Sequence, residues 1–149
     1  MIGVWVLLGA VVLAVVVAAV KRALDGRFRT AGPEASSRDG DGDGSQLEVL
    51  TPAEIGGELG ARLTFVQFSS SFCSPCRATR TLLGDVVRTR EGVEHVEVDA
   101  ESNLELVRRL NILRTPTVLV VDPAGVVVGR ASGLPRREQI EAVLASVGG

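Results

Sequence analysis

The sequence predicts an α/β domain with a mixed central sheet and helices on both faces, preceded by one N-terminal transmembrane helix. Three observations lead to this prediction. Residues 2–20 form a long run without charge, residues 47–149 alternate between strand-like and helix-like patterns, and the last two strand patterns are separated by a short turn. Residues 21–46 are rich in Gly, Pro, Ser and charged side chains, which indicates a basic juxtamembrane segment followed by a flexible linker.

The uncharged run at residues 2–20 is long enough to cross a bilayer. As a helix it spans about 28 Å, close to the ~30 Å hydrocarbon thickness of a membrane. A cleaved signal peptide is the main alternative, because Val17, Ala18 and Ala19 resemble a cleavage site. The run has no basic residue before it, however, and it is longer than a signal peptide requires. We therefore expect a retained, single-pass anchor in the cell membrane, with the lipid bilayer as a partner.

Basic residues directly after the run predict the orientation of the chain. The segment holds four of them against one acid: Lys21, Arg22, Arg27 and Arg29 against Asp25. The positive-inside rule then keeps this segment, and the domain that follows, in the cytoplasm. An extracytoplasmic domain is the alternative. The 15 Arg and single Lys of the chain indicate a GC-rich bacterial genome.

Two binding functions are disfavoured by residue type. Asp39, Asp41 and Asp43 fit the first half of a calcium loop, but Leu50 stands where that loop needs its bidentate acid. The composition of the linker therefore indicates a solvated hinge. The domain itself is acidic and poor in aromatic residues, so it lacks the basic surface of a nucleic-acid-binding protein.

The first elements of the domain are marked by turn residues and β-forming residues. Residues 47–50 fit a short strand. Residues 51–60 fit a short helix with Thr51 as its N-cap and Pro52 in its first turn. Residues 62–69, RLTFVQFS, are rich in β-branched and aromatic side chains and predict a strand.

A helix, a strand and a second helix follow. Residues 73–90 place apolar side chains at helical spacing: Ala78, Leu82, Leu83, Val86 and Val87. Residues 93–99, VEHVEVD, alternate as a strand does and place on one face His95, Glu97 and Asp99. Residues 102–112 predict a helix with Ser102 as N-cap and Glu105 completing a capping box.

The chain closes with a hairpin and a helix. Residues 117–122 and 126–131 are β-branched strands on either side of a Pro-Ala-Gly turn. Residues 135–147 carry one apolar helical face: Ile140, Val143, Leu144 and Val147. The resulting order, β-α-β-α-β-α-β-β-α, gives a mixed sheet with helices on both sides.

The only two cysteines of the chain, Cys73 and Cys76, lie at the predicted start of the helix 73–90. Unpaired backbone N–H groups and the helix dipole favour a thiolate there, so Cys73 would be a nucleophile within reach of Cys76. Half of a metal site is disfavoured, because structural zinc needs four ligands and the only histidine, His95, is in another strand. Inert core residues are disfavoured by the surrounding Ser, Pro and Arg. C-x-x-C beside a βαβ pattern is typical of a redox site.

Several segments resemble the thioredoxin family. FCSPCR, around the cysteines, is similar to the family's W-C-G-P-C-K active site. ILRTPTVLVVD is similar to the segment that holds the family's cis-proline, here Pro116, and VEVDAESNLELVRRLNI is similar to the strand and helix before it. Gly125 and Gly133 match glycines of the terminal hairpin and the substrate groove. The resemblance covers about residues 47–147.

The resemblance implies the thioredoxin fold and thiol–disulfide exchange. Cys73 would be the attacking thiol and Cys76 the resolving one, with their redox-active disulfide in place of any organic cofactor or metal. An extended substrate segment would bind beside Thr115 and Pro116, the latter in the cis form. Phe72 and Gly133 would complete this groove.

Departures from the family pattern fall beneath the cysteines. Gln67 stands where thioredoxins usually keep a buried aspartate, and His95 stands where they keep its lysine partner. Ser69 and Phe72 replace two tryptophans, and Thr81 replaces a helix proline. Because histidine titrates near neutral pH, His95 and Gln67 are candidates for proton transfer at the resolving thiol. A hydrated strand histidine is the alternative.

The sequence thus predicts a membrane-tethered thiol–disulfide oxidoreductase, acting mainly as a protein disulfide reductase in a reducing compartment. Its partners would be protein or small thiol and disulfide substrates and an electron-donating reductase. An extracytoplasmic disulfide oxidase or isomerase is expected if the topology is reversed. A redox-silent binding module and a metal chaperone are the alternatives of a different class.

Overall fold

The computed structural model describes the backbone of residues 2–24, 28–30 and 48–147, and the side chains of residues 8–20 and 48–147. Most of the predicted linker, including the aspartates of the disfavoured calcium loop, lies outside these ranges. The helices are α1 (Ile2–Leu24), α2 (Pro52–Ile55), α3 (Ser74–Val87), α4 (Leu104–Arg109) and α5 (Arg137–Val147). The strands are β1 (Phe28–Thr30), β2 (Leu63–Ser69), β3 (Val93–Asp99), β4 (Thr117–Val121) and β5 (Val127–Ser132).

The five strands form one mixed sheet in the order β1-β5-β4-β2-β3. Strand β2 pairs in parallel with β3 and antiparallel with β4, and β4 and β5 form the predicted hairpin. All residues of the inner strands β2 and β4 are buried. This explains their nearly continuous apolar sequences, because a strand covered on both faces has no polar face. The predicted mixed α/β sheet is confirmed.

Two apolar clusters fill the two faces of the sheet. One joins β2 and β4 to α3 and α5 and includes Phe65, Leu83, Val86, Val118 and Ile140. The other joins the same strands to α2 and α4 and includes Ile55, Val66, Phe68, Leu106 and Leu119. Since burying one large apolar side chain is worth roughly 1.5–3 kcal/mol, these clusters fix the register of β2 between its neighbours.

Of the two N-caps predicted from the sequence, one is present in the structure and one is not. Thr51 caps α2 as predicted, and its hydroxyl and backbone are bonded reciprocally with Glu54 in a capping box. The predicted capping box of Ser102 is wrong. Helix α4 begins at Leu104, and its N-cap, Asn103, makes no capping bond through its side chain. The Ser102 hydroxyl instead donates to the Asp99 carboxylate at 2.5 Å, so a local turn takes the group that the helix would have used.

The predicted strand at residues 47–50 is reduced to one bridge, between Val49 and Val126. Leu50 next to it donates from its backbone N–H to the Gly125 carbonyl at 2.8 Å. Gly125 has a φ of +86°, and a Cβ atom there would lie 2.3 Å from the Leu50 carbonyl oxygen. Only glycine fits this hairpin turn.

The N-terminal part departs from the sequence reading at one place. Strand β1 lies within the segment predicted as a linker, and it pairs antiparallel with the edge strand β5. A three-residue strand has no periodicity to reveal it, because backbone pairing with an available edge is what forms it. Among the residues that the structure describes, no helix is both long enough and apolar enough to cross a membrane. The membrane span stays a prediction.

Candidate functional site

The two cysteines form a disulfide at the end of α3 that faces the loop after β2. Cys73 is the N-cap of α3, Cys76 lies in its first turn, and their sulfur atoms are bonded at 2.00 Å. Cys73 is half-buried, whereas only 1% of Cys76 is exposed. The more accessible sulfur is therefore that of Cys73, which agrees with its predicted role as the attacking thiol.

The start of α3 provides hydrogen-bond donors for the Cys73 sulfur. The backbone N–H of Cys76 donates to Cys73 Sγ at 3.1 Å, since the first N–H groups of a helix have no partner within it. In the reduced protein the same N–H group would stabilise a Cys73 thiolate. Pro75 in this first turn has no N–H group to offer, so it costs the helix no hydrogen bond.

Three further segments meet beside the disulfide. The bond between Thr115 and Pro116 is cis, as the resemblance implied. The hydroxyl groups of Thr115 and Ser70 lie 3.0 Å apart, which ties the cis-proline loop to the loop before the cysteines. Gly133 donates its backbone N–H to the Pro116 carbonyl at 2.7 Å. These contacts bring together three of the predicted groove residues, Thr115, Pro116 and Gly133, and their role in substrate binding stays a prediction.

Two apolar side chains that are close in sequence to site residues are unusually exposed. Phe72, next to Cys73, is 98% exposed, and Leu113, two residues before Thr115, is 85% exposed. An aromatic side chain in that position covers no core of its own domain, so its apolar area is available to a bound molecule.

Beneath the disulfide, the amide of Gln67 holds the first turn of α3. Gln67 is fully buried, and its Nε2 donates to the Cys76 carbonyl at 2.9 Å and to Ser69 Oγ at 2.8 Å. Its Oε1 lies 3.1 Å from Nε2 of His95. The sequence therefore identified two residues that the fold does bring together.

This network fixes the proton on His95. The Cys76 carbonyl can only accept, so the NH₂ group of Gln67 faces it and the oxygen faces His95. His95 must then donate from Nε2, which leaves Nδ1 as the nitrogen that titrates. Burial lowers the pKa of His95 below its ordinary value; Arg80 adds to this effect and Glu97 opposes it. The ring is therefore neutral near neutral pH.

A polar pocket of about 400 Å³ opens beside the disulfide, between α3 and β3. The residues that line it are Ser69, Ser70, Ser71, Cys73, Cys76, Arg77, Arg80, Glu97 and Asp99. They come together because the parallel register places Gln67 and Ser69 of β2 beside Glu97 and Asp99 of β3. A space of this size holds several water molecules.

An ion pair forms one wall of the pocket. Arg80 donates to Glu97 from Nε at 2.5 Å and from Nη2 at 2.7 Å. These bonds are the main reason why the pKa of Glu97 is lowered, and a hydrogen bond from Ser69 adds to the effect while burial opposes it. The sequence pattern predicts that Glu97 lies on the same strand face as His95, but Glu97 was not among the predicted site residues. The alternation of β3 was the available signal.

Metal binding gains no support from the site. Within residues 8–20 and 48–147, no group of three or more His, Cys, Asp and Glu side chains is arranged to hold a metal ion. A metal assay on the purified protein tests the metal-chaperone alternative.

Comparison with known proteins identifies relatives of the domain. A family model for thioredoxin-like domains matches residues 54–148. Human thioredoxin domain-containing protein 2 is 34% identical over 90 residues, which is 60% of this chain and 16% of the human protein. The mouse protein of the same name is 34% identical over 64 residues, or 43% of this chain and 12% of its own length. The chain thus spans a small part of these curated relatives.

Solved structures show the same fold. Chloroplastic thioredoxin z has a TM-score of 0.53 and 24% identity, covering 59% of this chain and 80% of its own. Thioredoxin from Schistosoma mansoni has a TM-score of 0.51 and 22% identity, covering 59% of this chain and 81% of its own. At this level of identity the likeness concerns the arrangement of helices and strands.

Proposed function

This chain belongs to the thioredoxin family, and we propose that it is a membrane-tethered thiol–disulfide oxidoreductase that acts mainly as a protein disulfide reductase. The family and the C-x-x-C disulfide support thiol–disulfide chemistry in general. One observation carries the specific proposal. A half-buried Cys73 at a helix N-terminus is joined to a buried Cys76, so one sulfur can meet a substrate and the other is kept for resolution.

The reaction proceeds by two exchanges of sulfur partners. The Cys73 thiolate of the reduced protein attacks a substrate disulfide, and one substrate thiolate leaves with the electron pair of the broken bond. Cys76 then attacks Cys73 in this mixed disulfide. The second substrate thiolate leaves, and the Cys73–Cys76 disulfide is formed. An electron-donating reductase, or a small thiol, returns the protein to the dithiol state.

Substrates are proposed to be protein segments or small molecules that carry thiols or disulfides. The exposed Phe72 offers an apolar contact beside the reactive sulfur. The backbone of Thr115, next to the cis Pro116, is the edge along which an extended segment would lie. Binding at this edge would bring a substrate disulfide to Cys73.

The proposed tether is the uncharged run at residues 2–20, of which the structure describes side chains only at residues 8–20. Its side chains between residues 8 and 20 are apolar and exposed, among them Val12, Leu13 and Val15 at 60%, 65% and 62%. The uncharged run at residues 2–20 and the basic residues that follow it favour a cell-membrane anchor with a cytoplasmic domain. In that compartment disulfides are reduced, which sets the proposed direction.

Two experiments test this proposal. The full-length chain in detergent should accelerate the reduction of insulin by dithiothreitol, and the Cys73→Ser chain should not. No acceleration by the unchanged chain would favour the redox-silent binding module. For topology, green fluorescent protein and alkaline phosphatase are each fused after Gly149. Fluorescence without phosphatase activity is expected, and the reverse would place the domain outside and favour an oxidase or isomerase.

A further inference from the structure

The resolving step needs a proton acceptor that the fold does not supply at the usual position. Cys76 is 1% exposed, and a thiol must lose its proton before its sulfur can attack. The group directly beneath it, Gln67, is an amide without a titratable proton. Another side chain, or water, has to take the proton of Cys76.

His95 is separated from Cys76 by Gln67. Its Nε2 is engaged with the Oε1 of Gln67, and the Nε2 of Gln67 donates to the Cys76 carbonyl. An amide can hold this chain of hydrogen bonds in place, but it does not pass a proton along it. His95 is also absent from the described residues that line the pocket beside Cys76. The geometry therefore makes His95 a positioning residue for Gln67.

Glu97 has the access that His95 lacks. It lines the same pocket as Cys76, and its side chain is 26% exposed. Arg80 holds the carboxylate with two hydrogen bonds, and Ser69, which accepts a hydrogen bond from Gln67, forms another with it. A pocket of about 400 Å³ has room for the water that a general base uses when it does not touch the donor directly.

We propose that Glu97 accepts the proton of Cys76 across this pocket when Cys76 attacks the mixed disulfide on Cys73. In this step the Cys73–Cys76 bond forms, the bond from Cys73 to the substrate breaks, the electron pair leaves with the substrate thiolate, and the proton goes to Glu97. Glu97, whose pKa is lowered, then releases the proton to water, and the Cys76 thiolate takes a proton from water by the same path when the disulfide is reduced. The inference rests on the proposed function.

The charged and titratable groups around Glu97 set its working range. They come from both elements that form the pocket: Arg77 and Arg80 from α3, and His95 and Asp99 from β3. The hydrogen bonds from Arg80 are the main reason why the pKa of Glu97 is lowered, so the carboxylate is ionised at neutral pH and holds a transferred proton only briefly. It is a weak base for the same reason, which predicts a moderate rate effect.

Stopped-flow reaction with dithiobis(nitrobenzoate) separates the two thiol steps. The reduced full-length chain in detergent should release one nitrothiobenzoate in a phase that depends on reagent concentration, when Cys73 attacks. It should release the second in a phase that does not depend on it, when Cys76 resolves the adduct. If the second nitrothiobenzoate is not released, the proposed function is wrong, and the role proposed for Glu97 is wrong as well.

We expect Glu97→Gln to slow the second phase by roughly tenfold to a hundredfold and to leave the first phase unchanged; this is at or below the ~10²-fold lower limit for general bases, because Glu97 is a weak base. Asp99→Asn is the matched control, because Asp99 lines the same pocket but is held by Ser102 and the Glu101 backbone. His95→Gln, which keeps a donor for Gln67, tests the other possible acceptor: slowing of the second phase equal to that of Glu97→Gln would assign the proton to His95 and overturn the proposal. An unchanged second phase in Glu97→Gln, or equal slowing of both phases, would overturn the proposal.

The pH dependence of the second-phase rate distinguishes proton transfer by Glu97 from a purely structural role of this residue. The second-phase rate of the unchanged chain should fall as the pH drops through the lowered pKa of Glu97. Arg80→Gln removes the main cause of that lowering, so the fall should begin at a higher pH. Profiles that coincide would contradict proton transfer to Glu97.

Discussion

The outer and inner sides of the Cys73–Cys76 disulfide differ in how closely they follow the thioredoxin pattern. On the outer side, which a substrate would meet, the pattern is kept: a helix N-terminus beneath Cys73, a cis Thr115–Pro116 bond and a glycine at 133. These features are mostly backbone geometry. Exchange between sulfur atoms depends on that geometry, so the surrounding side chains, such as Phe72, can vary.

The inner side, beneath Cys76, carries side chains that differ from those usual in the thioredoxin family. Gln67 supplies hydrogen-bond donors where the family keeps a buried acid, His95 supports the amide, and the Arg80–Glu97 pair lines the pocket. A neutral amide satisfies the buried Cys76 carbonyl without the cost of desolvating a charge. The backbone geometry around Cys73 is therefore that of the family, whereas the side chains beneath Cys76 are different ones.

The sharpest test of the outer side is removal of one thiol at a time. Cys73→Ser should abolish exchange, because no exposed nucleophile remains. Cys76→Ser should accumulate mixed disulfides with substrates, because the resolving sulfur is gone. Both are measured by non-reducing gels and mass spectrometry of the full-length chain. Adducts on Cys73→Ser but not on Cys76→Ser would reverse the two roles.

Restoring an acid on the inner side should cost stability. At neutral pH, Gln67→Asp should lower the free energy of unfolding by roughly 1–3 kcal/mol relative to Gln67→Asn, because the buried carboxylate is desolvated. Burial raises the folded-state pKa of the new acid above its unfolded value. The difference is therefore complete above the folded pKa and disappears as the pH falls below about 3.9.

Urea unfolding of the detergent-solubilised full chain, followed by circular dichroism, measures this difference. Gln67→Asn has the same length as the acid but no charge, so the comparison isolates the ionised group. Equal stability of the two variants at neutral pH would mean that water reaches position 67.

An effect of similar size is expected at His95. His95→Ala leaves the buried Oε1 of Gln67 without a donor and should cost about 1–3 kcal/mol, whereas His95→Gln should recover most of it. The folded pKa of His95 is lowered, so the unfolded state binds the proton more readily. The stability that this ring confers is complete above about pH 6.5 and is lost as the pH falls toward the folded pKa. Urea midpoints at neutral and mildly acidic pH should show this slope in the unchanged chain but not in His95→Gln.

Much of the outer side could be predicted from the sequence, and little of the inner side. Local patterns reveal β2, α3 and the position of Cys73, because apolar periodicity and the C-x-x-C spacing are short-range signals. The contact between Gln67 and His95 spans 28 positions, and the Arg80–Glu97 pair spans 17. Such contacts depend on the register of parallel strands and on helix packing, which the sequence specifies only through the whole fold.

One edge strand and one helix cap were predicted wrongly from the sequence, each for a physical reason. The strand β1 owes its existence to the free edge of β5 rather than to its own three residues. Ser102 has the residue type of an N-cap, but Asp99 competes for its hydroxyl. In both cases a partner elsewhere in the chain decided the outcome.

The most direct test of the central claim, that the outer sulfur attacks and the inner one resolves, is the rate of alkylation at each cysteine. The reduced full-length chain is treated with iodoacetamide at neutral pH, and peptide mass spectrometry follows Cys73 and Cys76 over time. The account predicts that Cys73 is alkylated well before Cys76, because Cys73 is accessible and lies at the helix N-terminus. Equal rates, or faster alkylation of Cys76, would contradict it.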